Sequence, residues 1–265
     1  MTTVADILKF VETIAPPYMM ESWDNGGLLC GRKNQEVYKI LVALDPFRNV
    51  ITDAIAAKVD LIVTHHPLIF DESVTAVNED TETGRCLLTL MEHGIAAINA
   101  HTNLDLAPGG VNDALAVALK LENVEIIKPA GNDAEGRPYG LLRCGNVSEQ
   151  SLEKFLSLVK TSLHCDGLRY VDGGKPVRRV AVGGGSCSDE MFDALEAGCD
   201  TFVTSDVKYN RFRTAYESGL NLIDAGHFHT ENPVVPVLAR KLQAAFPEVE
   251  VKICESHRDC MKFFV

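Results

Sequence analysis

The stretch Leu61-Ile62-Val63-Thr64-His65-His66-Pro67-Leu68 begins as a strand and ends in chemistry. Leu61-Ile62-Val63 is a short apolar run of the kind that becomes a buried strand. Pro67 has no N–H to give to a central ladder, so the strand stops and the two histidines stand at its C-terminal tip. In open α/β sheets that tip is where ligands bind. A lone His–His pair is as readily one core histidine beside an exposed one. What weighs against that reading is that similar clusters recur at two further strand ends.

Working outward, strand-like and helix-like segments alternate. Lys39-Ile40-Leu41-Val42-Ala43-Leu44 reads as a strand ending in Asp45-Pro46, with a helix over 50–58 after it. Beyond the histidines come an acidic segment (71–83) and a helix near 86–93. A third strand, Ile95-Ala96-Ala97-Ile98, then runs into Asn99-Ala100-His101. A helix over 110–121 completes this half. Such alternation predicts an α/β fold with a parallel sheet. Upstream, Thr3 and Asp6 form a capping box for an amphipathic helix carrying Ile7, Leu8, Val11 and Ile14. Trp23 sits beside the turn Asp24-Asn25-Gly26-Gly27, which reads as a structural turn with an aromatic anchor, against the alternative of a functional loop.

The chain then repeats itself. Asp53–Thr64 aligns without gaps on Asp193–Thr204, so Asp53 falls on Asp193 at an offset of 140, which also carries Ile40–Leu44 onto Val180–Gly184. Further on, His93–Ala100 matches Ser218–Ala225. Self-similarity of this length predicts two similar α/β domains from an internal duplication, against the alternative of two generic βαβ units that match by chance. The segment 129–140, with Gly131, Asp133, Gly136 and Pro138, reads as the linker. The first domain is then 1–128, open to being joined by the C-terminal segment, and the second is 129–265.

With 265 residues the chain can bury a full core, and 46% hydrophobic and 23% charged residues are ordinary for a globular protein. A net charge of −12 argues against nucleic acid as a partner. No apolar run approaches the ~20 residues that span a bilayer, and the N-terminus lacks a basic signal region, so a cytoplasmic location is expected. The eight cysteines include no C-x-x-C and read as small buried hydrophobes. Cys254-x-x-His257-x-x-Cys260 offers three ligands where a structural zinc site takes four.

Each half carries a histidine and a carboxylate four residues apart just past a strand: His101 with Asp105, and His227 with Glu231. Such pairs share one face if the turn is helical. Imidazoles and carboxylates together suit Zn, Fe, Mn, Co or Ni, whereas Ca or Mg would take mainly oxygen. His65 and His66 are neighbours whose side chains diverge, which suits two divalent ions with a bridging carboxylate. A Ser/His/Asp triad has no G-x-S-x-G elbow here. Gly183-Gly184-Gly185-Ser186 could cradle phosphate but lacks the P-loop pattern.

These residues carry a family resemblance. Trp23-Asp24-Asn25-x-Gly27-Leu28, Thr64-His65-His66-Pro67, His101-Thr102-Asn103-Leu104-Asp105 with Gly109-Gly110-Val111-Asn112-Asp113, and Asp224-Ala225-Gly226-His227 with Thr230-Glu231 resemble the motifs of the NIF-three-like dinuclear-metal family, the group named GTP cyclohydrolase I type 2. The resemblance implies metal ligands at His65, His66, Asp105, His227 and Glu231, with His101 close by. It implies two similar α/β domains and a ring-shaped homohexamer; with ligands before and after the linker at corresponding strand tips, the repeat predicts the metal site in the cleft between the domains. The chain departs from the family at Ser205, often glycine there, at Asn210, often histidine, and at Gly183, where a cysteine precedes the glycine pair. The long insertion that some members carry between the halves is missing. None of these positions is a ligand; they bear on substrate contacts.

Two functions are compatible with these residues. One is a metal-dependent hydrolase that applies metal-activated water to a small-molecule substrate, GTP or a related nucleotide. The other is a non-catalytic metal-binding or regulatory protein whose ions stabilise a homo-oligomeric ring. No residue is identified that would read guanine, and no catalytic residue beyond the ligands.

Overall fold

The computed structural model of the chain describes residues 1–70, 74 and 76–264. Part of the acidic segment expected over 71–83 (Asp71, Glu72, Ser73 and Thr75) therefore lies outside the described residues. The fold is mixed α/β, with two compact units. Unit 1 is Met1–Leu104 with Val235–Arg258, and unit 2 is Asp105–Val234 with Asp259–Val265. The boundary falls inside the short helix Thr102–Leu106.

Unit 1 is built on a five-stranded sheet. Its strands are β1 (Gly27–Cys30), β2 (Lys39–Ala43), β3 (Leu61–Thr64), β4 (Ala96–Asn99) and β13 (Glu250–Ile253), in the order β1-β4-β3-β2-β13. Strands β13, β2, β3 and β4 run parallel, and β1 closes the far edge antiparallel. β2, β3 and β4 are near-continuous apolar runs because helices cover a parallel sheet on its faces. The segment Glu82–Glu92 and the segment Arg48–Ala57 are two of these helices, and they bury Leu87, Leu90, Val50 and Ala54 with Ile62 and Ala97. The N-terminal helix, Val4–Ile14, starts at the capping box the sequence predicts: Thr3 accepts from Asp6 N, and the Asp6 carboxylate accepts from Thr3 N. The turn at Asp24 leads directly into β1, a strand the composition does not announce. The C-terminal segment belongs here, since β13 extends the sheet beside β2 with Ile253 opposite Val42.

Unit 2 has a six-stranded sheet. It comprises β5 (Glu122–Ile127), β8 (Leu142–Gln150), β9 (Arg169–Val171), β10 (Val177–Val182), β11 (Thr201–Thr204) and β12 (Asn221–Asp224), ordered β5-β8-β10-β11-β12-β9. Strands β10, β11 and β12 are parallel, and the flanking pairs are antiparallel. Its parallel register matches that of unit 1: Ile40 pairs with Leu61, and Val180 with Thr201, each residue 140 positions on. The segment expected as a linker lies inside this unit, where β6 (Gly131–Asn132) and β7 (Pro138–Tyr139) form a small antiparallel hairpin. Helix Leu152–Ser162 is capped by Ser151 and sinks Phe155 and Val159 into the core. Arg143 is buried and satisfied by a two-pronged pair with Asp113, at 2.9 and 3.0 Å, and by the Gly140 carbonyl. Among the described residues no helix is long and apolar enough to cross a membrane.

Candidate metal centre

In unit 1 the histidines gather where β3 and β4 end. The backbone N–H groups of His65 and His66 both donate to the Leu44 carbonyl, at 3.2 and 2.9 Å, which folds the chain tightly past the strand tip. Their ring centroids are 4.8 Å apart, and those of His101 are 5.3 Å from His65 and 5.4 Å from His66. One ring nitrogen from each of the three lies within 4.8 Å of the others, so the group could hold a metal ion. His65 is fully buried, and His101 nearly so.

Each ring is oriented through Nδ1. His65 Nδ1 donates to the Ala100 carbonyl at 2.9 Å, His66 Nδ1 to Asp45 at 2.6 Å and His101 Nδ1 to Asp24 at 2.7 Å. Burial would raise the Asp45 carboxyl, but hydrogen bonds from His257 and His66 outweigh it and hold the group at about 2. Asp24 is likewise pushed up by its burial, yet His101 and Thr102 donate to it and hold it well below the usual carboxylate range. Ionised carboxylates and carbonyls only accept, so a neutral ring carries its proton on Nδ1 and keeps its Nε2 lone pair for a ligand. Acceptors of this kind are the usual supports of metal-binding histidines.

Trp23 is not the buried anchor its turn suggests. It is 56% exposed, and Phe70 is 64% exposed. Both rings stand edge-on to His101, at 6.1 and 5.8 Å.

In unit 2, His227 and Glu231 lie on the short helix His227–Glu231, entered through Gly226 at φ +84°. His227 Nε2 is 3.1 Å from a Glu231 oxygen, and Nδ1 is 2.6 Å from Asp206. Burial works against a charge on His227, but the Asp206 and Glu231 carboxylates outweigh it and push the imidazole up to about 10. The donation from His227 in turn lowers Asp206. Asp105 is buried, and its carbonyl accepts from Asn112 Nδ2 at 3.1 Å.

The glycine loop supports these residues instead of cradling phosphate. Gly183 N donates to Val203 O, Gly184 N to Asn112 Oδ1 and Gly185 N to Thr230 Oγ1, so all three donors are spent inside the protein. The Gly185 carbonyl accepts from Ser205 N and from the Thr204 and Ser205 hydroxyls. Gly185 has φ +66°, and a Cβ there would meet Glu231 Oε1 at 2.1 Å and His227 Nε2 at 3.2 Å. Glycine is required for that approach.

His229 turns away, bonded to the Leu163 carbonyl at 3.1 Å and 3.3 Å from Asp259. Cys254, His257 and Cys260 do not converge: Cys254 meets Asp53, His257 meets Asp45, and Cys260 is exposed. The supporting residues Asp24, Asp45, Asp206 and Asn112 are absent from the sequence-derived set. A signal for three of them existed, since Asp45 and Asp206 follow parallel strands at their C-terminal tips and Asp24 precedes one more strand.

The model of the family Duf34/NIF3 (NGG1p interacting factor 3) matches residues 2–260. A Clostridium perfringens protein named GTP cyclohydrolase 1 type 2 homolog is 34% identical over 263 residues, covering 97% of this chain and 98% of that protein. A Streptomyces coelicolor protein of the same name is 36% identical over 239 residues, or 88% of this chain and 83% of that one. Among solved structures, Staphylococcus aureus hypothetical protein SA1388 superposes with a TM-score of 0.92 at 30% identity over 99% of both chains. A Bacillus cereus protein related to NIF3 gives a TM-score of 0.92 at 25% identity, covering 100% of this chain and 99% of that one. The chain belongs to the Duf34/NIF3 family.

Proposed function

We propose that this protein is a metal-dependent hydrolase with a dinuclear centre, acting on GTP or a related nucleotide. The ligands are His65, His66, Asp105, His227 and Glu231, with His101 beside them, and the metals are two divalent transition ions. The observation that carries the reading is that all four histidines have Nδ1 held by an oxygen acceptor, which leaves Nε2 as the ligating atom once the ring is neutral. Three imidazoles in one unit, and an imidazole with two carboxylates, Asp105 and Glu231, in the other form an N/O donor set that fits zinc-like or iron-like ions. We further propose that the two sets serve one centre, in two domains derived by duplication. The equal strand registers support the duplication, and donors at corresponding strand ends support a shared centre.

Bound there, divalent ions would act as Lewis acids and lower the pKa of water. The chain's own residues then have separate tasks. Asp45, Asp24 and Asp206 keep the imidazoles turned with Nε2 inward. Trp23 and Phe70 offer exposed ring faces beside His101 for a planar base. The nucleotide itself is suggested by the relatives' name and not by any guanine-reading residue. A homohexamer belongs to the same proposal.

Metal analysis of the full chain, purified with added metal, tests the centre. Two ions per chain are expected, and a stoichiometry near one, or none, would overturn the dinuclear reading. The metal-loaded protein is then incubated with a panel of nucleotides. Turnover abolished by chelation is expected; full occupancy without turnover would leave a metal-binding protein that is no hydrolase. His66→Ala and Glu231→Gln test the shared centre, because each should weaken ions that the other also weakens. Independent, additive losses would show two separate sites.

A further inference from the structure

Strands β2 and β13 run parallel and side by side, with Val42 opposite Ile253, and the Cys254 N–H continues the ladder to Val42 O at 2.9 Å. Both strands point the same way, so the chain leaves the two of them at the same edge of the sheet. Asp45 lies three residues past Val42, and His257 four residues past Ile253. The two side chains meet there: His257 Nε2 is 2.8 Å from Asp45 Oδ2, while the other carboxylate oxygen takes His66 Nδ1 at 2.6 Å. The carboxylate thus lies between two imidazoles. Both His257 and Asp45 are more than nine-tenths buried.

The segment that delivers His257 is itself fastened. Cys254 Sγ lies 3.4 Å from Asp53 Oδ2, the Ser256 hydroxyl donates to the same carboxylate, and Phe47 stands edge-on to the His257 ring at 6.2 Å. An ionised Asp45 only accepts, so His66 gives it a proton-bearing Nδ1; His257 Nε2 lies 2.8 Å from Asp45 Oδ2 and 3.3 Å from the Asp45 backbone nitrogen, and the shorter contact takes it as a donor to the carboxylate. Without His257, Asp45 would keep a buried oxygen to satisfy by some other means, and the carboxylate would be free to swing off His66.

We propose that His257 is a positioning residue that acts through Asp45 to fix the tautomer and ring angle of His66. This rests on the reading of His66 as a metal ligand. It gives the C-terminal segment a task at the centre, contributed by a residue whose Cys-x-x-His-x-x-Cys setting looks like a ligand motif and is not one. Outer carboxylates of this kind typically change metal affinity about ten- to a hundred-fold when removed. His257 stands one step further out, so an effect at the lower end of that range is expected.

The test compares His257→Leu with His257→Gln in the full chain. The two replacements are alike in bulk, but only glutamine offers an N–H to Asp45. Zn(II) affinity is read by competition with a chromophoric chelator, and the Co(II)-substituted protein is read by its visible absorption. His257→Leu should bind one Zn(II) about ten-fold more weakly, keep the other and shift the Co(II) bands; His257→Gln should restore both readouts. Equal behaviour of the two folded variants would overturn the proposal. A measurement on the unaltered protein covers the case in which neither folds: long-range nitrogen–proton spectra of the Zn(II)-loaded chain should show His66 protonated at Nδ1, and protonation at Nε2 would overturn it. If His66→Ala leaves Zn(II) binding unchanged, the ligand assignment fails instead. If His66→Ala loses an ion while His257→Leu binds like the parent, only the positioning role fails.

Discussion

His227 shows how a few atoms set the behaviour of a site. Without an ion its imidazole sits between Asp206 and Glu231, whose carboxylates outweigh burial and push it up to about 10 from an ordinary 6.5. A raised histidine contributes stability that is complete below its unfolded value and is lost as pH rises through the folded one. Melting of the chelated protein should therefore weaken as pH climbs from about 6.5 to 10, and Asp206→Asn should flatten that slope. Asp206 is lowered, so its own contribution is present above the usual carboxylate range and fades only in acid. Melting temperatures across a pH series in chelator read both limbs, and parallel curves for parent and variant would count against the pair. Gly185 gives a second test. Gly185→Ala places a Cβ at φ +66° against Glu231, whereas Gly198→Ala meets nothing within 4 Å at φ +75°. Both should lose about 1–3 kcal/mol to backbone strain. Only Gly185→Ala should also lose zinc affinity, measured by competition titration, because Glu231 must move.

At the scale of elements, the strands and helices with strong patterns are legible. The capping box at Thr3 and the apolar runs of β2, β3 and β4 announce their elements because each reflects a local rule. β5 is harder to see: its residues Glu122, Asn123, Val124 and Glu125 are exposed, so no burial pattern marks it. The small hairpin at 131–139 hides in turn chemistry that reads equally well as linker. The supporting residues are hidden for a different reason, since Asp24, Asp45 and Asn112 act across contacts of long sequence separation. Asn112 is the clearest instance. It opens helix Val111–Ala118, is fully buried, and joins the Asp105 carbonyl to the Gly184 N–H. Asn112→Ala would strand both groups in the core, costing about 1–3 kcal/mol for each one left unsatisfied. Denaturant unfolding of the chelated protein should show that loss, and Asn112→Asp, which keeps an acceptor for Gly184, should recover part of it.

For the whole molecule, the proposed donors come from chain segments far apart: His65, His66, His101 and Asp105 in the first 105 residues, and His227 and Glu231 beyond 226. A ligand that binds the folded form alone stabilises it by mass action, about 2.7 kcal/mol when present at a hundred times its Kd. For a chain of this size each kcal/mol moves the melting temperature by about 2–4 °C, so loading one such ion should raise it by roughly 5–10 °C. Chelation should reverse the gain, and reloading should restore it. The distribution of the gain is the more telling result. If one centre draws on both donor sets, metal raises the unfolding of both units together, and Glu231→Gln reduces the gain for both. If each set binds alone, Glu231→Gln leaves the stabilisation of unit 1 intact. Calorimetry resolves the two cases, with hydrogen exchange reporting β3 and β11 separately as sentinels of the two units. A metal-dependent gain confined to β3 would restrict the ions to the three histidines of unit 1, and would remove Glu231 from the centre.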